Sequence, residues 1–170
     1  MICIKGERIC IRTYTREEYH RFWKSYVADN VMDPNPYIYN KIKVDKMYDY
    51  IMENESDYPR LGIFFDIIPI GELSLKRINS KESKCELGII LANDNYKGLG
   101  YGTEAVNLAI GYVFNVLRLK YIYADTMGNN LKMQRILKRV GFEFVDKQEN
   151  WYKMNDRRED KLNYMLINTN

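Results

Sequence analysis

A glycine-rich turn in the middle of the chain places the strongest constraint on the fold. The run Lys97–Gly102 (KGLGYG) follows an apolar stretch, Cys85–Leu91, and precedes apolar residues that recur at helical spacing from Ala105 to Val116. The apolar stretch favours a buried strand, and the helical period favours an amphipathic helix. Leu119–Thr126 favours another strand, so the usual right-handed crossover predicts a βαβ unit with parallel strands.

The N-terminal third predicts a strand, a helix, a loop and a second helix. Ile9–Ile11 alternates as a strand does, and Thr15 followed by Glu18 matches the capping box that starts a helix. The apolar residues at helical spacing that follow are Tyr19, Phe22, Trp23, Tyr26 and Val27. Asp33–Pro36 ends this pattern because proline lacks the amide donor, and Val44–Ile51 resumes it.

The strands in the remaining sequence predict a mostly antiparallel sheet. Leu61–Ile67 and Ile70–Ile78 are dense in apolar residues and are separated by a short connection containing Pro69, which is typical of a hairpin. Phe142–Val145 and Leu162–Ile167 complete the predicted sheet. The fold class is therefore α/β with a mixed sheet, and we expect a single domain over residues 1–170.

Composition and charge exclude several functional classes. The hydrophobic share of 46 % and the charged share of 29 % are typical of a soluble globular chain. The net charge of +3 is spread along the sequence, so we expect no nucleic-acid partner. No apolar run approaches the ~20 residues that span a bilayer. We therefore expect a cytoplasmic protein with no membrane partner.

The cysteines and the single histidine suggest neither a metal site nor a catalytic triad. Cys3, Cys10 and Cys85 are odd in number and lack CxxC spacing, which argues against a disulfide framework and against a zinc site. A Ser/His/Asp triad would have to use His20, which lies inside a helical pattern. We interpret His20 as a helix-surface residue.

The alternating glycines suggest an anion site. Glycine allows the backbone to approach a ligand and to adopt positive φ, and the helix that begins here adds unpaired amides and a partial positive charge. The alternative is a tight turn that needs glycine only for close packing. The turn lacks the Gly-Lys-Ser/Thr ending of a Walker A loop, and it does not match the dinucleotide fingerprint G-x-G-x-x-G.

Two motifs resemble those of the GNAT acyl-CoA N-acyltransferases. Tyr96–Ala105 (YKGLGYGTEA) resembles the acetyl-CoA-binding motif Q/R-x-x-G-x-G/A, in the form common in the ribosomal-protein and polyamine acetylating branch. Asn130–Phe142 resembles the family's next motif, N-x-x-S/A followed by an aliphatic stretch and K-x-G-F. The motifs occur in the family's order and separation, and the predicted elements match its mixed sheet with a splayed central parallel pair flanked by helices.

The resemblance implies a site for acetyl-CoA without a metal. The cofactor would lie in a wedge where Cys85–Leu91 splays from Tyr121–Thr126, and a backbone amide near Ile90 would hold the thioester oxygen. The residues implied to bind pantetheine through their backbone are Ile89, Ile90 and Leu91. Those implied to bind the diphosphate are Lys97, Gly98, Leu99, Gly100, Tyr101, Gly102 and Thr103.

Two positions in these motifs leave alternatives open. The resemblance implies that Asn130 contacts the cofactor, but asparagine is also a favoured helix N-cap. Lys97 replaces the usual Gln or Arg, so only a backbone and point-charge role transfers to it.

The implied chemistry needs a base and a proton donor. Glu86 is the first candidate for the base, and Glu72 on the neighbouring strand is a second that would act through water. The alternative for both is a solvent-facing strand position. Leu137 stands where many family members carry a tyrosine that protonates the leaving thiol. Tyr123, Tyr101 or water would have to replace it.

The function that follows is acetyl transfer from acetyl-CoA to a primary amine by direct attack in a ternary complex. The acceptor would be a protein N-terminus, a polyamine or a small-molecule amine. Residues that would surround it are Trp23, Tyr26, Tyr37, Tyr39, Glu53, Glu55 and Asp57; the favoured alternative for them is a helix core and a solvated face. A non-catalytic acyl-CoA-binding module is the second hypothesis and a nucleotide-binding domain the third. The oligomeric state is open, with a homodimer among the alternatives.

Overall fold

The computed structural model describes residues 2–169, and within them eight strands and four helices make up the fold. Their bounds are β1 Cys3–Lys5, β2 Cys10–Arg12, α1 Arg16–Ser25, α2 Lys41–Glu53, β3 Arg60–Phe65, β4 Ile68–Asn79, β5 Lys84–Leu91, α3 Tyr101–Asn115, β6 Tyr121–Met127, α4 Leu131–Arg139, β7 Glu143–Lys153 and β8 Arg158–Ile167.

The strands form one mixed sheet in the order β1-β2-β3-β4-β5-β6-β8-β7. Neighbouring strands are antiparallel, apart from β5 and β6, which are parallel. This parallel pairing covers only Lys84–Glu86 against Tyr121–Tyr123, whereas β5 stays paired with β4 as far as Leu91. The predicted mixed sheet with a splayed central parallel pair is therefore confirmed.

Each face of the sheet carries its own pair of helices. Buried residues of α3 and α4, such as Val106 and Leu137, pack with Leu73 of β4 on one face. Tyr19 and Phe22 of α1 lie in a second cluster, together with the buried residues of α2. Because side chains alternate between faces along a strand, every second residue of β4, β5 and β6 faces α1 and α2, and the residues between them face α3 and α4.

The start of α1 follows the predicted capping box. The Thr15 hydroxyl accepts from the Glu18 amide, and the Glu18 carboxylate accepts from the Thr15 amide. The end of α1 differs from the prediction, since the helix stops at Ser25 and Val27 is 62 % exposed. The Val27 amide donates to the carbonyl of Ala92, just beyond β5, at 2.7 Å. This tertiary bond pulls the chain out of the helix and anchors it to the sheet.

Three features of the sheet differ from the prediction. Pro69 lies inside β4, opposite Phe64 at a register shift, and the turn of the hairpin is at Asp66, whose φ is 54°. The strands β7 and β8 extend far beyond the predicted segments, because β7 is an edge strand whose residues are mostly exposed and show no apolar alternation. β1 is an edge strand of only three residues and was not predicted.

Among residues 2–169, no helix combines the length and the apolar character that crossing a bilayer requires.

Candidate functional site

The parting of β5 and β6 leaves one edge of β5 unpaired in the middle of the sheet. Beyond Glu86, β5 continues to Leu91, and among residues 2–169 no strand is paired with this stretch on its β6 side. Ile89, Ile90 and Leu91 lie on this stretch and are half-buried. The Ile90 side chain packs against the α1/α2 cluster, whereas Ile89 and Leu91 pack against the α3/α4 cluster. A free backbone edge lined by apolar side chains can accept an extended ligand as an added strand does.

The glycine-rich turn lies at the carboxyl end of this strand. Gly98 and Gly100 have φ values of 77° and 89°, in the left-handed region that favours glycine. Gly100 is the N-cap of α3 and has no side chain to cap the helix, so the amides of the first turn have no side-chain acceptor at the cap. A Cβ at Gly98 would meet nothing within 4 Å. The turn therefore presents open backbone at the positive end of a 15-residue helix.

Gly102 serves a different purpose from the other two glycines. It lies in the first turn of α3, is buried, and a Cβ there would be 3.4 Å from Cδ1 of Ile136 in α4. Close packing between α3 and α4 explains this glycine. The packing interpretation therefore applies to Gly102, whereas Gly98 and Gly100 have the open, left-handed backbone that the anion-site interpretation requires.

Arg8 holds the turn in place, although the sequence does not predict a role for it. Its Nη1 donates to the Leu99 carbonyl at 2.9 Å, and its Nε pairs with the Glu104 carboxylate at 3.0 Å. Its guanidinium also lies 5.1 Å from the centre of the Tyr101 ring. No local pattern around Arg8 signals these contacts, because all three partners lie more than 90 residues further along the chain.

Lys97 carries the expected cation, but two carboxylates already engage it. Its Nζ lies 2.7 Å from Asp29 and 2.9 Å from Asp94. These ion pairs raise the pKa of Lys97 despite partial burial and keep the ammonium charged. The Asp29 contact ties the loop between α1 and α2 to the glycine-rich turn. A diphosphate on the turn would have to compete with both acids for this charge.

If the turn binds the diphosphate of CoA, Asp29→Asn should tighten that binding. Removing this carboxylate frees part of the Lys97 charge for the diphosphate, and a partly exposed ion pair is worth about 1 kcal/mol or less, so we expect a Kd roughly two- to fivefold lower in calorimetry at low salt. Asp33→Asn is the matched control, because the Asp33 carboxylate accepts from the Asn35 amide instead. Unchanged affinity in Asp29→Asn would show that Lys97 does not contribute its charge to the diphosphate.

Asn130 is the N-cap of α4. Its Oδ1 accepts from the Met133 amide at 3.1 Å, and its Nδ2 lies 3.1 Å from the sulfur of Met32. The capping interpretation is therefore confirmed. The Met32 contact places the α1–α2 loop against the N-terminus of α4 as well as against Lys97 of the turn.

A cavity of about 300 Å³ is lined mainly by β6, β7 and β8, together with Glu86 of β5. Glu86 and Tyr123, which are register partners in the parallel pair, both line it. The other lining residues are Ala124, Asp125, Val145, Asp146, Gln148, Lys161, Asn163 and Tyr164. The Glu86 side chain is 30 % exposed and accepts a short hydrogen bond from Arg77. This acid is accessible to a ligand in the cavity.

Glu72 occupies the opposite kind of environment. It lies opposite Ile90 in the β4–β5 register and is 4 % exposed, which contradicts the solvent-facing alternative for this residue. Arg60 donates to one carboxylate oxygen at 2.9 Å, and the other oxygen has no hydrogen-bond partner among residues 2–169. Burial raises the pKa of Glu72 to about 7 in spite of the Arg60 ion pair. A carboxyl with this pKa is suited to accept protons near neutrality.

The residues expected around the acceptor serve mainly as core and surface. Trp23, Tyr26 and Tyr37 pack against one another with ring centroids 5.1 to 5.3 Å apart. Tyr39 is hydrogen-bonded to His20 at 2.8 Å. Glu55 accepts from the Thr13 hydroxyl, and none of the three expected acids, Glu53, Glu55 and Asp57, lines the cavity.

His20 lies on α1, on the side that contacts α2. Its ring nitrogens contact the Tyr39 hydroxyl at 2.8 Å and the Asp45 carboxylate at 2.9 Å. With a side chain only 13 % exposed, it is more buried than the helix-surface position we expected. No serine takes part in this arrangement, so it is not a Ser/His/Asp triad.

Residues 8–143 match the family model of the acetyltransferase (GNAT) domain. The chain belongs to the GNAT family. A spermidine N(1)-acetyltransferase of Escherichia coli is 30 % identical over 101 residues, which are 59 % of this chain and 53 % of that protein. The chain thus spans about half the length of the curated relatives it matches.

Solved GNAT structures share the whole fold. A chimeric spermidine N-acetyltransferase from Vibrio cholerae and hSSAT has a TM-score of 0.85 at 20 % identity, covering 95 % of this chain and 96 % of that one. A RimL ribosomal-protein acetyltransferase in complex with coenzyme A has a TM-score of 0.82 at 14 % identity and 98 % coverage of both chains. The predicted family and fold class are confirmed.

Leu137, which the resemblance aligns with a tyrosine of many GNAT proteins, is part of the core. Leu137 has no exposed surface and lies in the cluster beneath α3 and α4. A side chain at this position therefore packs against apolar neighbours.

Restoring the tyrosine should destabilise the protein without raising turnover. Leu137→Tyr adds volume to a filled core and buries a hydroxyl there, and overpacking of this kind costs ~1 to 3 kcal/mol. Urea unfolding should show a lower midpoint than in the control Leu131→Tyr, which places the same ring at a position 57 % exposed on the same helix. A Leu137→Tyr protein with wild-type stability and faster turnover would contradict this packing argument.

Proposed function

We propose that residues 1–170 form a single N-acetyltransferase domain that transfers an acetyl group from acetyl-CoA to the primary amine of a cationic acceptor. The observation that carries this proposal is the junction of two features: the unpaired edge of β5 and, at its end, a turn with two left-handed glycines that opens α3. GNAT membership adds support, since that family uses acetyl-CoA.

The wedge between β5 and β6 suits acetyl-CoA in its chemistry. Pantetheine would pair with the backbone of Ile89–Leu91, and the diphosphate would lie on the amides of Lys97–Thr103. Gly98 supports this, because the space a Cβ would occupy there is open to a ligand. Asn130 caps α4 with its oxygen, and its amide nitrogen already contacts the Met32 sulfur at 3.1 Å, so a cofactor contact would use its second N–H or replace the Met32 contact.

The chemical step requires a neutral amine. A lysine-like amine has a pKa near ~10.4 and is mostly protonated near neutrality. Glu86 is the proposed base, since it lines the cavity beside the last paired residues of β5 and β6. It lies four residues from Ile90 along β5, about 13 Å, so the proton of an amine attacking beside Ile90 would reach Glu86 through intervening water. The amine nitrogen would attack the thioester carbon, a backbone amide near Ile90 would hold the oxyanion, and the carbon–sulfur bond would break as the thiolate leaves.

Tyr123 is the proposed proton donor to that thiolate. It lies opposite Glu86 in the register and lines the same cavity. Water is the alternative donor. With a thiol pKa of ~8.5, release of the thiolate near pH 7 costs only about 2 kcal/mol relative to release of the thiol. The reaction therefore does not depend strictly on this residue.

The cavity favours a cationic acceptor. Its lining includes the carboxylates of Glu86, Asp125 and Asp146 and the ammonium of Lys161, and Arg77 pairs with Glu86, so one negative charge remains in excess. This surplus of negative charge attracts an ammonium group. A polyamine agrees with this surplus and with the substrate named for the Escherichia coli relative. A protein N-terminus agrees with the RimL neighbour.

A thiol-release assay over a panel of amines tests the proposal. We expect acetyl-CoA-dependent release of CoA with spermidine or with N-terminal peptides, and little release with neutral alcohols. Binding of acetyl-CoA without release by any amine would support the second candidate, a non-catalytic acyl-CoA-binding module, which the buried Leu137 favours. Absence of acetyl-CoA binding would contradict both candidates, and binding of NAD instead would support a nucleotide-binding domain.

A further inference from the structure

The N-terminal hairpin holds two thiols in contact, and the proposed acetyl transfer uses neither. Cys3 lies opposite Arg12, and Cys10 lies opposite Lys5, so the two cysteines are diagonal neighbours across the antiparallel pair β1–β2. Their Sγ atoms are 3.6 Å apart. A disulfide needs ~2.05 Å, and diagonal side chains on one face of a strand pair can reach each other. The sulfurs would have to approach by about 1.5 Å, and because diagonal neighbours are ~7–8 Å apart whereas the Cα atoms of a disulfide are ~4.4–6.8 Å apart, the short hairpin would have to draw together as the bond forms.

We propose that Cys3 and Cys10 form a thiol pair that small-molecule disulfides oxidise to an intrachain disulfide. The thiolate of Cys3 attacks one sulfur of a disulfide such as glutathione disulfide, and one glutathione leaves as the thiol. The thiolate of Cys10 then attacks the Cys3 sulfur of the mixed disulfide and releases a second glutathione. The protein loses two hydrogen atoms, and the small disulfide is reduced by two electrons.

Exposure assigns the two roles. Cys3 is exposed and is the thiol that a dissolved disulfide can reach first. Cys10 is partly buried, which raises its pKa, so it is the slower nucleophile toward a reagent from solution. Once the mixed disulfide has formed, Cys10 is in contact with the Cys3 sulfur. The high local concentration then outweighs its lower reactivity toward reagents in solution.

The third cysteine provides an internal comparison. Cys85 is 1 % exposed, and burial raises its pKa to about 12. It lies among the core residues between the sheet and α3. We expect Cys85 to remain a thiol in the folded protein under conditions that oxidise the hairpin.

The cross-link would act on a hairpin that contacts the glycine-rich turn. The segment between the cysteines contains the turn closed by the Gly6 amide and the Ile9 carbonyl at 2.8 Å. Arg8 projects from this turn to Leu99 and Glu104. A disulfide between Cys3 and Cys10 would therefore close a loop that contains Arg8, the residue that holds the glycine-rich turn in place.

Thiol counting by mass spectrometry tests this proposal independently of acetyl transfer. The full chain is equilibrated with mixtures of glutathione and its disulfide, then unfolded and alkylated with iodoacetamide. We expect the number of alkylated cysteines to fall from the three of the sequence to one, with no glutathione adduct and with Cys3 and Cys10 joined in one peptide pair. In Cys10→Ser, we expect one glutathione to remain on Cys3. In Cys85→Ala, the count should fall from two to zero.

Two outcomes would overturn the proposal. One is that the wild-type chain keeps three alkylatable thiols at a certain ratio of glutathione disulfide to glutathione. That ratio is the one at which Cys3 of the Cys10→Ser variant is fully converted to its glutathione adduct. The other is a wild-type chain that accumulates glutathione adducts without the cross-linked peptide. The thiol count and the cross-linked peptide can be measured whether or not the protein transfers acetyl groups. A negative result for the disulfide is therefore distinguishable from a negative result for the proposed function.

Discussion

Gly100→Val is expected to raise the Kd for CoA roughly 10- to 100-fold. Gly100 has a φ of 89°, and a side chain in this left-handed region costs about 1 to 3 kcal/mol. A Cβ there would also lie 3.0 Å from Nη2 of Arg8, so the guanidinium that holds Leu99 and Glu104 would have to shift. Each 1.4 kcal/mol corresponds to about a tenfold change in affinity. Calorimetry with CoA measures the effect.

Gly111→Val is the matched control for this experiment. It adds the same side chain to the same helix, and the nearest atom to a Cβ at Gly111 is 4.0 Å away. We expect wild-type affinity from this variant. Circular dichroism should show that both variants remain folded. If folded Gly100→Val binds CoA as tightly as the wild type, the backbone of the turn does not contact the diphosphate and the proposed cofactor site is wrong.

The part of the site nearest the turn was predictable because its signals are local. An apolar strand, alternating glycines and a helical period within one short segment determine the β5–turn–α3 unit, and the crossover rule then determines that β6 is parallel to β5. The positive φ values of Gly98 and Gly100 follow from the same pattern. Gly102 does not follow from it, since its reason is contact with Ile136 on another helix.

The groups that modify the turn were not predictable, because they come from distant parts of the chain. Arg8 lies 91 residues before Leu99, and Asp29 lies 68 residues before Lys97. A hydrophobic pattern carries no information about such polar pairs. The early end of α1 has the same origin, since the bond from Val27 to Ala92 outweighs the helical period of the local sequence.

The two candidate acids show a further limit of sequence patterns. Glu72 lies opposite Ile90 and Glu86 opposite Lys76, so both side chains are on the same face of the sheet. The sequence treats them as equivalent strand residues. Only the structure shows that α1 and Arg60 cover Glu72, whereas Glu86 borders a cavity.

Glu86→Gln is expected to lower kcat about 10²- to 10⁴-fold, the usual contribution of a general base. Its affinity for CoA should remain that of the wild type, because the residue borders the proposed acceptor cavity and not the glycine-rich turn. Steady-state kinetics with a saturating amine, together with calorimetry for CoA, separate the two effects. The neutral amide also removes one of the three carboxylates in the cavity, so KM for a cationic amine should rise as well.

Glu72→Gln is the comparison that decides between the two acids. The register places Glu72 beside Ile90, and Glu86 lies four residues away along β5, about 13 Å, so one amine nitrogen cannot touch both. If Glu86 is the base, folded Glu72→Gln retains most of its turnover. If Glu72 acts through water, turnover of the wild type instead falls as pH drops below about 7, because that carboxyl becomes protonated there. In that case the fall in turnover below about pH 7 would be absent from Glu72→Gln and still present in Glu86→Gln. This result would show that the assignment of Glu86 as the base is wrong.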